Sequence, residues 1–315
     1  MRVLIFGGNS RLSKRIASLS PSDWHSVSVY RAERDEADVR SLADVLFIIE
    51  HCKPNVVVNC AAYTDIDGCQ RSPEHAIGVN ALGAANVAMA CRMKNVPLVH
   101  ISTDYVFPGT NGPKAVGAPT YPVNTYGLSK LLGESAVLSL MPKGAIVMRV
   151  GWLYGVEYER SQPMVAAREG GLRVDHFPGK AYIFDNIKGT PTFVRDVAVK
   201  VRHAALNLAI RGDHWGSEVI HAAPDEHPVS WYEFLLQDFN IVPMRDGTYK
   251  GASVVTGDGR PVRTMGKTAR KGTYRPTAGG LVPSEGWVTG SYRSGLDAFI
   301  SEFREAFYTK TGAGT

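Results

Sequence analysis

The alternation of short apolar runs with amphipathic segments in the first half of the chain constrains the fold more than any other feature. The apolar runs are rich in Val and Ile, which is typical of strands buried on both faces of a sheet. These runs are Val3–Phe6, Val27–Tyr30, Val56–Cys60, Leu98–Ser102 and Ala145–Val150. Helical patterns separate them at Lys14–Leu19, Ser41–His51, Ala81–Lys94 and Tyr126–Leu140. The repetition predicts an α/β fold with a doubly wound parallel sheet of the Rossmann type.

The rhythm changes after residue 155, where Gly, Pro and aromatic residues punctuate shorter elements. We therefore expect a second, smaller substrate-binding domain. Residues 1–155 and about 188–221 are predicted to form the dinucleotide-binding domain, and about 156–187 and 222–315 the substrate-binding domain. A helix over Val194–Ala209 is expected to pack back on the first domain. Ser230 and Glu233 match a capping box, which predicts a helix reaching Phe239.

Composition excludes several classes of function. The 315 residues carry a formal net charge of +5, which suits an anionic small molecule, and no Lys/Arg block with interleaved aromatics suggests nucleic acid. No stretch approaches the roughly 18 apolar residues of a membrane span, so no membrane partner is expected. The 4 cysteines lack metal-ligand spacing and are read as reduced thiols. We predict a cytoplasmic protein without a metal site.

The turn after the first apolar run carries part of a dinucleotide signature. A Rossmann turn places glycines at three positions, for the tight turn, for the approach to a pyrophosphate and for helix–strand packing. Gly7 occupies the first position, but Ser10 and Ser13 stand at the other two. The start of the following helix still offers backbone N–H groups to a phosphate. The turn indicates a dinucleotide site or, alternatively, a plain connection between strand and helix.

A second pattern points to proton transfer. Tyr126 and Lys130 are four residues apart, on one face of the helix they begin. A nearby ammonium favours the phenolate, so we expect the pKa of Tyr126 to fall from about 10 toward neutrality. Ser102 and Thr103 end the fourth strand, at the sheet edge where ligands of such folds bind. A hydroxyl there can orient a carbonyl, so the pattern predicts carbonyl–alcohol chemistry.

Six segments together resemble the dTDP-4-dehydrorhamnose reductase family of the extended short-chain dehydrogenase/reductase superfamily. They are Val58–Asp67, Val79–Gly83, Ile101–Phe107, Asn124–Lys130, Arg149–Gly155 and Gly189–Thr192. The resemblance runs in order across most of residues 1–240 and fades after about 245, where only Arg275-Pro276 and Tyr292–Leu296 match the family's ending.

The resemblance implies specific roles for individual residues and NADPH or NADH as the cofactor. Tyr126 would be the proton donor, assisted by Lys130 and Thr103, and Lys130 would also hold the cofactor ribose. The cofactor-binding residues include Gly7 of the turn; the resemblance implies Ser10, Arg11 and Leu12 at the pyrophosphate, Asp38 and Val39 on the adenine side, and Ala61, Ala62 and Tyr63 along the cofactor. Thr103, Asp104 and Trp152 would face the substrate.

Two arginines bear on the choice of cofactor. Arg31 follows the second strand, where an acidic residue would hydrogen-bond a ribose 2′-hydroxyl, and Arg34 is close by. Guanidinium groups suit a 2′-phosphate, which favours NADPH. Solvated loop charges are the alternative.

The resemblance implies reduction of the 4-keto group of a deoxy-sugar nucleotide. Related dehydratases carry Glu at the position of Tyr105, and a phenol is a poor base for elimination. A sugar-nucleotide epimerase remains an alternative, and so does a non-catalytic binding module, which Ser10 and Ser13 would favour. The sequence leaves open the sugar, the nucleotide, the role of the basic stretch 260–275 and the oligomeric state, with a homodimer among the options.

Overall fold

The computed structural model describes residues 1–19, 27–155, 188–211, 216–230, 233–234, 276 and 278–311. The basic stretch 260–275 and most of the helix predicted to reach Phe239 lie outside these residues. The capping box itself forms: the Ser230 N–H donates to Glu233 Oε2 at 2.6 Å, and the Glu233 N–H donates to Ser230 Oγ at 3.0 Å.

Strands and helices alternate along the described chain. The strands are β1 Arg2–Phe6, β2 Ser28–Ala32, β3 Val56–Asn59, β4 Leu98–Thr103, β5 Ala145–Val150, β6 Trp152–Tyr154, β7 Lys188–Gly189, β8 Pro191–Phe193, β9 Glu218–Ala222 and β10 Val229–Ser230. The α-helices are α1 Arg11–Ala17, α2 Leu42–Cys52, α3 Ile66–Arg71, α4 Pro73–Ile77, α5 Gly83–Lys94, α6 Thr125–Leu140, α7 Val194–Arg211 and α8 Tyr292–Thr311. A π-helical turn, Gly78–Leu82, joins α4 to α5.

Six strands form one sheet in the order β2-β1-β3-β4-β5-β9, and every neighbouring pair is parallel. The strand order reverses between β1 and β3, which makes the carboxyl edge there the ligand-binding crevice of a doubly wound sheet. The predicted fold class is confirmed. The edge is where the glycine turn and the end of β4 meet.

Helices cover both faces of the sheet, and the inner strands β1, β3, β4 and β5 are buried almost throughout. One apolar core lies between the sheet and the helices α1 and α7, and includes Ile5, Met148 and Val201. The other lies between the sheet and α2, α5 and α6, and includes Phe6 and Val147. The helix expected at Val194–Ala209 is α7, and it packs on the first domain as predicted.

Several elements were not predicted, among them the outer strand β9 and the long helix α8. The outer strand β9 contains Glu218 and His221, whose polar side chains interrupt the apolar run that marks the other strands. His221 is nevertheless fully buried. The long helix α8 lies beyond residue 245, where the resemblance fades, and no helix was predicted there. None of the helices described is long and apolar enough to cross a membrane.

Four short strands form two small sheets outside the six-stranded sheet. Strand β6 pairs with β8, and β7 pairs with β10. The segment before α8 runs beside them: Gly279 N–H donates to Lys188 O at 2.9 Å, and Val282 N–H donates to Lys114 O at 2.9 Å. The division into a dinucleotide-binding and a substrate-binding domain at the stated bounds stays a prediction.

Candidate active site

The glycine turn crosses the end of β3 at close range. Gly7 has a φ of +75°, and a Cβ there would lie 2.6 Å from the Ala61 backbone N. Only glycine satisfies both conditions without strain. The neighbouring Ala61 is held in place because its N–H donates to Asn59 Oδ1 at 3.0 Å. The two loops at the reversal of strand order are therefore fixed against each other by backbone.

Ser10 occupies a glycine position of the pattern without needing glycine geometry. Its φ of −64° and ψ of 148° are ordinary extended values, and its Oγ accepts the Ser13 N–H at 3.2 Å as the N-cap of α1. Ser13 is fully buried, and its Oγ has no hydrogen-bond partner in the part of the chain described. The Leu12 side chain lies in the core, so only its backbone could face a pyrophosphate. Arg11 is half-buried at the start of α1.

Arginines line the end of β2. Arg31 is half-buried, and its Nη1 donates to Gly8 O at 2.8 Å, which ties this side chain to the glycine turn. Arg34 is exposed and lies 3.6 Å from Asp38. A hydrogen bond from Arg40 lowers the pKa of Asp38 to about 2. Val39 is buried, with its backbone O accepting from Asn86 at 3.0 Å.

The loop after β3 is anchored by a residue for which the sequence analysis proposed no role. Asn80, in the π-helical turn, accepts the Tyr63 N–H at 2.8 Å and donates to Tyr63 O at 3.0 Å. It also donates to Ser129 Oγ at 2.9 Å, on α6. Ala61, Ala62 and Tyr63 are consequently connected to the helix that carries Tyr126. Asn80 lies within the quoted segment Val79–Gly83, so the resemblance alone could have drawn attention to it.

The start of α6 places Tyr126 against the end of β4. The helix begins after Asn124, whose Oδ1 accepts the Gly127 N–H at 2.8 Å. A Cβ at Gly127 would lie 2.1 Å from the Tyr105 O, so glycine lets the helix approach the turn after β4. The Tyr126 side chain shares a hydrogen bond with Thr103.

The electrostatics of Tyr126 differ from the expectation. Burial raises its pKa above the ordinary value of 10.0, and the charge of Asp104 adds to the effect. The predicted lowering by Lys130 is therefore wrong. Lys130 Nζ donates to the Ile101 carbonyl oxygen at 2.6 Å, and desolvation lowers its own pKa to about 8.

The predicted substrate-facing residues occupy two places. Asp104 is buried next to Thr103, whose Oγ1 donates to Asp104 Oδ1 at 3.1 Å. Burial raises the pKa of Asp104 to about 7, so the carboxyl changes charge near neutral pH. Trp152 lies on β6 and is half-buried, with its ring packed against Gly189, where a Cβ would lie 2.4 Å away. The structure thus gathers Thr103, Asp104, Tyr126 and Lys130, whereas Trp152 sits on a separate small sheet.

A buried ion pair next to Lys130 was also missed. Glu134, one helical turn further along α6, forms two hydrogen bonds with Arg149 of β5. A Glu in an amphipathic helix and an Arg in a Val-rich strand give no signal of pairing, because the contact arises only when α6 covers β5.

The side chains at this edge fit a nicotinamide dinucleotide. Small residues meet at the crossing of Gly7 and Ala61, the cationic Arg31 stands beside the glycine turn, and Lys130 lies within one helical turn of Tyr126. These are the donor types that a dinucleotide needs for its phosphates and ribose. In the described part of the chain no group of three or more His, Cys, Asp or Glu side chains could hold a metal ion.

Comparison with known proteins gives one consistent result. Residues 1–260 match the family model described as the RmlD substrate binding domain. The dTDP-4-dehydrorhamnose reductase of Streptomyces griseus is 33% identical over 70% of both chains. The dTDP-4-keto-6-deoxy-D-glucose reductase of Streptomyces niveus is 31% identical over 81% of this chain and 84% of its own.

A solved structure is similar along nearly the whole chain. The dTDP-4-dehydrorhamnose reductase of Bacillus anthracis, crystallised in complex with NADP, superposes with a TM-score of 0.74 at 26% identity, covering 96% of this chain and 98% of that one. A dTDP-4-dehydrorhamnose reductase of Clostridium acetobutylicum superposes with a TM-score of 0.75 at 25% identity, covering 96% of this chain and 100% of that one.

Proposed function

Because the chain belongs to the dTDP-4-dehydrorhamnose reductase family, we propose that it uses NADPH or NADH to reduce the 4-keto group of a deoxy-sugar nucleotide. The chain is an NAD(P)-dependent oxidoreductase of the Rossmann type. The observation that carries the proposal is the cluster at the carboxyl end of β4, where the hydroxyl of Thr103 meets Tyr126 and Lys130 lies one turn away.

The nicotinamide, when bound, supplies the hydride. Tyr126 holds the proton for the substrate oxygen, and its raised pKa keeps the phenol protonated until negative charge develops on that oxygen. Thr103 hydrogen-bonds Tyr126 and would polarise the same carbonyl. Lys130 would hold the cofactor ribose and attract the developing phenolate, which requires its Nζ to exchange the Ile101 carbonyl for these partners.

Substrate recognition would fall to residues beyond the catalytic cluster. Asp104 stands next to Thr103 and can accept a sugar hydroxyl, and the flat ring of Trp152 suits a nucleotide base. The dinucleotide would follow the turn after β1 and the loop at Ala61, with its adenine near Asp38 and Val39. Arg31, already beside Gly8, is the group proposed to meet a 2′-phosphate.

The decisive experiment combines binding and turnover. Purified protein is titrated calorimetrically with NADPH and NADH, and 4-keto-6-deoxy sugar nucleotides, dTDP-linked first, are then added while absorbance at the reduced nicotinamide band is followed. The proposal expects stoichiometric oxidation of the cofactor and a 4-hydroxy product. Binding without oxidation would indicate a non-catalytic module, and an isomerised product without net oxidation would indicate an epimerase.

A further inference from the structure

A row of polar residues crosses the sheet beneath α6. Ser102 of β4 pairs in register with Arg149 of β5, which pairs with His221 of β9. All three are buried, with 2%, 5% and 0% of their surface exposed. Three aligned polar side chains buried inside a sheet need hydrogen-bond partners, and two of them, Ser102 and Arg149, share one.

That partner is Glu134, which is 2% exposed. Its Oε1 accepts from Ser102 Oγ at 2.5 Å and from Arg149 Nε at 2.9 Å, and its Oε2 accepts from Arg149 Nη2 at 2.7 Å. The rest of the guanidinium is also occupied: Nη1 lies 3.4 Å from His221 Nε2, and the group stands 5.0 Å over the ring of Phe107. The carboxylate and the guanidinium are therefore fixed by several elements at once.

Stability alone is a weak reason for such a pair. Removing two charges from water costs several kcal/mol per ion, and apolar residues of similar volume often serve as well or better. The position of the pair suggests another reason. Glu134 follows Lys130 by one turn of α6, and its negative charge raises the pKa of Lys130 while burial lowers it.

The other groups around Lys130 do not supply this charge. Burial raises the pKa of Cys60 to about 12, so the thiol stays neutral, and His100 of β4 is kept neutral because burial and the charge of Lys130 hold its pKa well below 6.5. The raised pKa of Tyr126 leaves the phenol protonated, and Asp104, which is charged above about pH 7, acts on Tyr126. Glu134 therefore carries the negative charge that opposes desolvation of the ammonium.

We propose that Glu134 is a positioning residue for the reduction: bound to Arg149 of β5 and Ser102 of β4, its carboxylate holds α6 on the sheet and places a fixed negative charge one helical turn from the Lys130 ammonium. The inference rests on the proposed function for its catalytic consequence. On the β9 side, the ring of His221 lies between Val282 and Arg149. Its Nδ1 lies 3.0 Å from Val282 O, and its Nε2 lies 3.4 Å from Arg149 Nη1. Burial lowers the pKa of His221 to about 4, so it stays neutral at working pH.

The proposal makes a signed prediction about the ionisation of Lys130, whose pKa is about 8. Glu134→Gln keeps the shape of the side chain, removes the negative charge and leaves Arg149 positive. The pKa of Lys130 should then fall by about one unit, within the range for a lost opposite charge a few ångströms away.

The test is a ¹³C NMR titration of the full chain labelled with [ε-¹³C]lysine, with the Lys130 signal assigned from Lys130→Arg. A downward shift of the midpoint in Glu134→Gln supports the proposal, and an unchanged midpoint in the folded variant overturns it. Glu50→Gln is the matched control, because Glu50 also pairs with a cation, Lys94, but at the surface. Its Lys130 midpoint should equal that of the wild type.

Two further variants keep the test decisive if Glu134→Gln does not fold. Glu134→Asp retains the charge and should restore the wild-type midpoint, whereas the double change Glu134→Met plus Arg149→Met removes both charges and should lower it. The same downward shift is expected in the alkaline limb of kcat/KM for the keto sugar nucleotide. Because the NMR midpoint needs no substrate, a wild type without turnover would defeat the proposed function and leave the role of Glu134 tested on its own.

Discussion

The two sides of the ligand edge are built in different ways. At the glycine turn after β1, the arrangement depends on backbone geometry. Gly7 takes a left-handed φ of +75° against Ala61, and Ser10 caps α1. At the start of α6, buried ionisable groups are held by a network that reaches three strands, with Glu134 bonded to Ser102 and Arg149.

The difference reflects what each side has to do. A phosphate-binding turn presents N–H groups whose charge does not change with pH, so a small residue such as Ser10 can replace glycine wherever the backbone is ordinary. A proton-transfer site depends on the ionisation of Tyr126, Lys130 and Asp104, and burial moves the pKa of each. The first side should therefore tolerate substitution where the backbone is ordinary, as at Ser10, though not at Gly7, and the second should not tolerate the loss of its ionisable groups.

The largest effect is expected from Tyr126→Phe. Loss of a general acid typically costs about 10²- to 10⁴-fold in turnover, and cofactor binding should remain nearly intact because only the hydroxyl is removed. Steady-state kinetics and NADPH calorimetry on both proteins measure the two quantities. Lys130→Ala is the companion variant, which should weaken both turnover and cofactor binding. Wild-type turnover in the Phe variant would remove Tyr126 from the mechanism.

The second prediction concerns pH and stability. The pKa of Asp104 is raised from 3.8 to about 7, so between pH 4 and 7 the folded protein holds a proton that the unfolded chain has lost. This carboxyl therefore lowers the free energy of unfolding as pH rises through that window, by at most about 1.4 kcal/mol per pH unit. Asp104→Asn should remove that slope, which urea unfolding at pH 4.5, 5.5 and 6.5 measures.

Asp38, on the glycine-turn side, is the matched control. Arg40 lowers its pKa to about 2, so the stability it contributes is present above pH 3.8 and is lost only as pH falls toward 2. The difference in unfolding free energy between wild type and Asp38→Asn should stay flat from pH 4.5 to 6.5. Parallel curves for wild type and Asp104→Asn over the same range would show that Asp104 does not titrate there.

The third prediction tests how the glycine-turn side chooses its cofactor. A charge-assisted hydrogen bond to a 2′-phosphate is worth roughly 1.5 to 3 kcal/mol, so Arg31→Ala should reduce the preference for NADPH over NADH by about one to two decades. Arg34→Ala should have a smaller effect, since its side chain is 69% exposed and lies near Asp38. Calorimetric affinities for both cofactors give the ratio. If the NADPH/NADH affinity ratio were unchanged in the double variant Arg31→Ala plus Arg34→Ala, neither arginine would bind the 2′-phosphate.

The smallest effect is expected at Ser10. Ser10→Gly should change NADPH affinity by no more than about tenfold, or 1.4 kcal/mol, and an N-cap change from Ser to Gly costs only a few tenths of a kcal/mol in stability. Gly7→Ala is the contrasting variant, because a left-handed residue with a Cβ costs roughly 1–2 kcal/mol before the clash with Ala61 is counted. A folded wild type that binds no dinucleotide would contradict the reductase proposal itself.

Periodicity revealed most of the sheet but not its outer strand. The apolar runs of β1, β3 and β5 are recognisable as strands in the sequence, because strands buried on both faces are apolar throughout. Strand β9 was not predicted because His221 interrupts its apolar run, and that histidine is tolerated inside because its ring nitrogens lie beside Val282 O and Arg149. A pattern read along the chain cannot register a partner that is 72 positions away.

The sequence by itself determined the fold class and the chemical groups at the ligand edge. Strand and helix periods act over a few residues, and they place Tyr126, Lys130 and Thr103 at the carboxyl end of the same sheet. Only the tertiary structure decided how these groups are charged. Desolvation raises the pKa of Tyr126 where spacing predicted a decrease, and Glu134 acts on Lys130 while bound to Arg149, 15 residues further on. Ionisation depends on every group that surrounds a side chain, and packing brings those groups from separate elements of the chain.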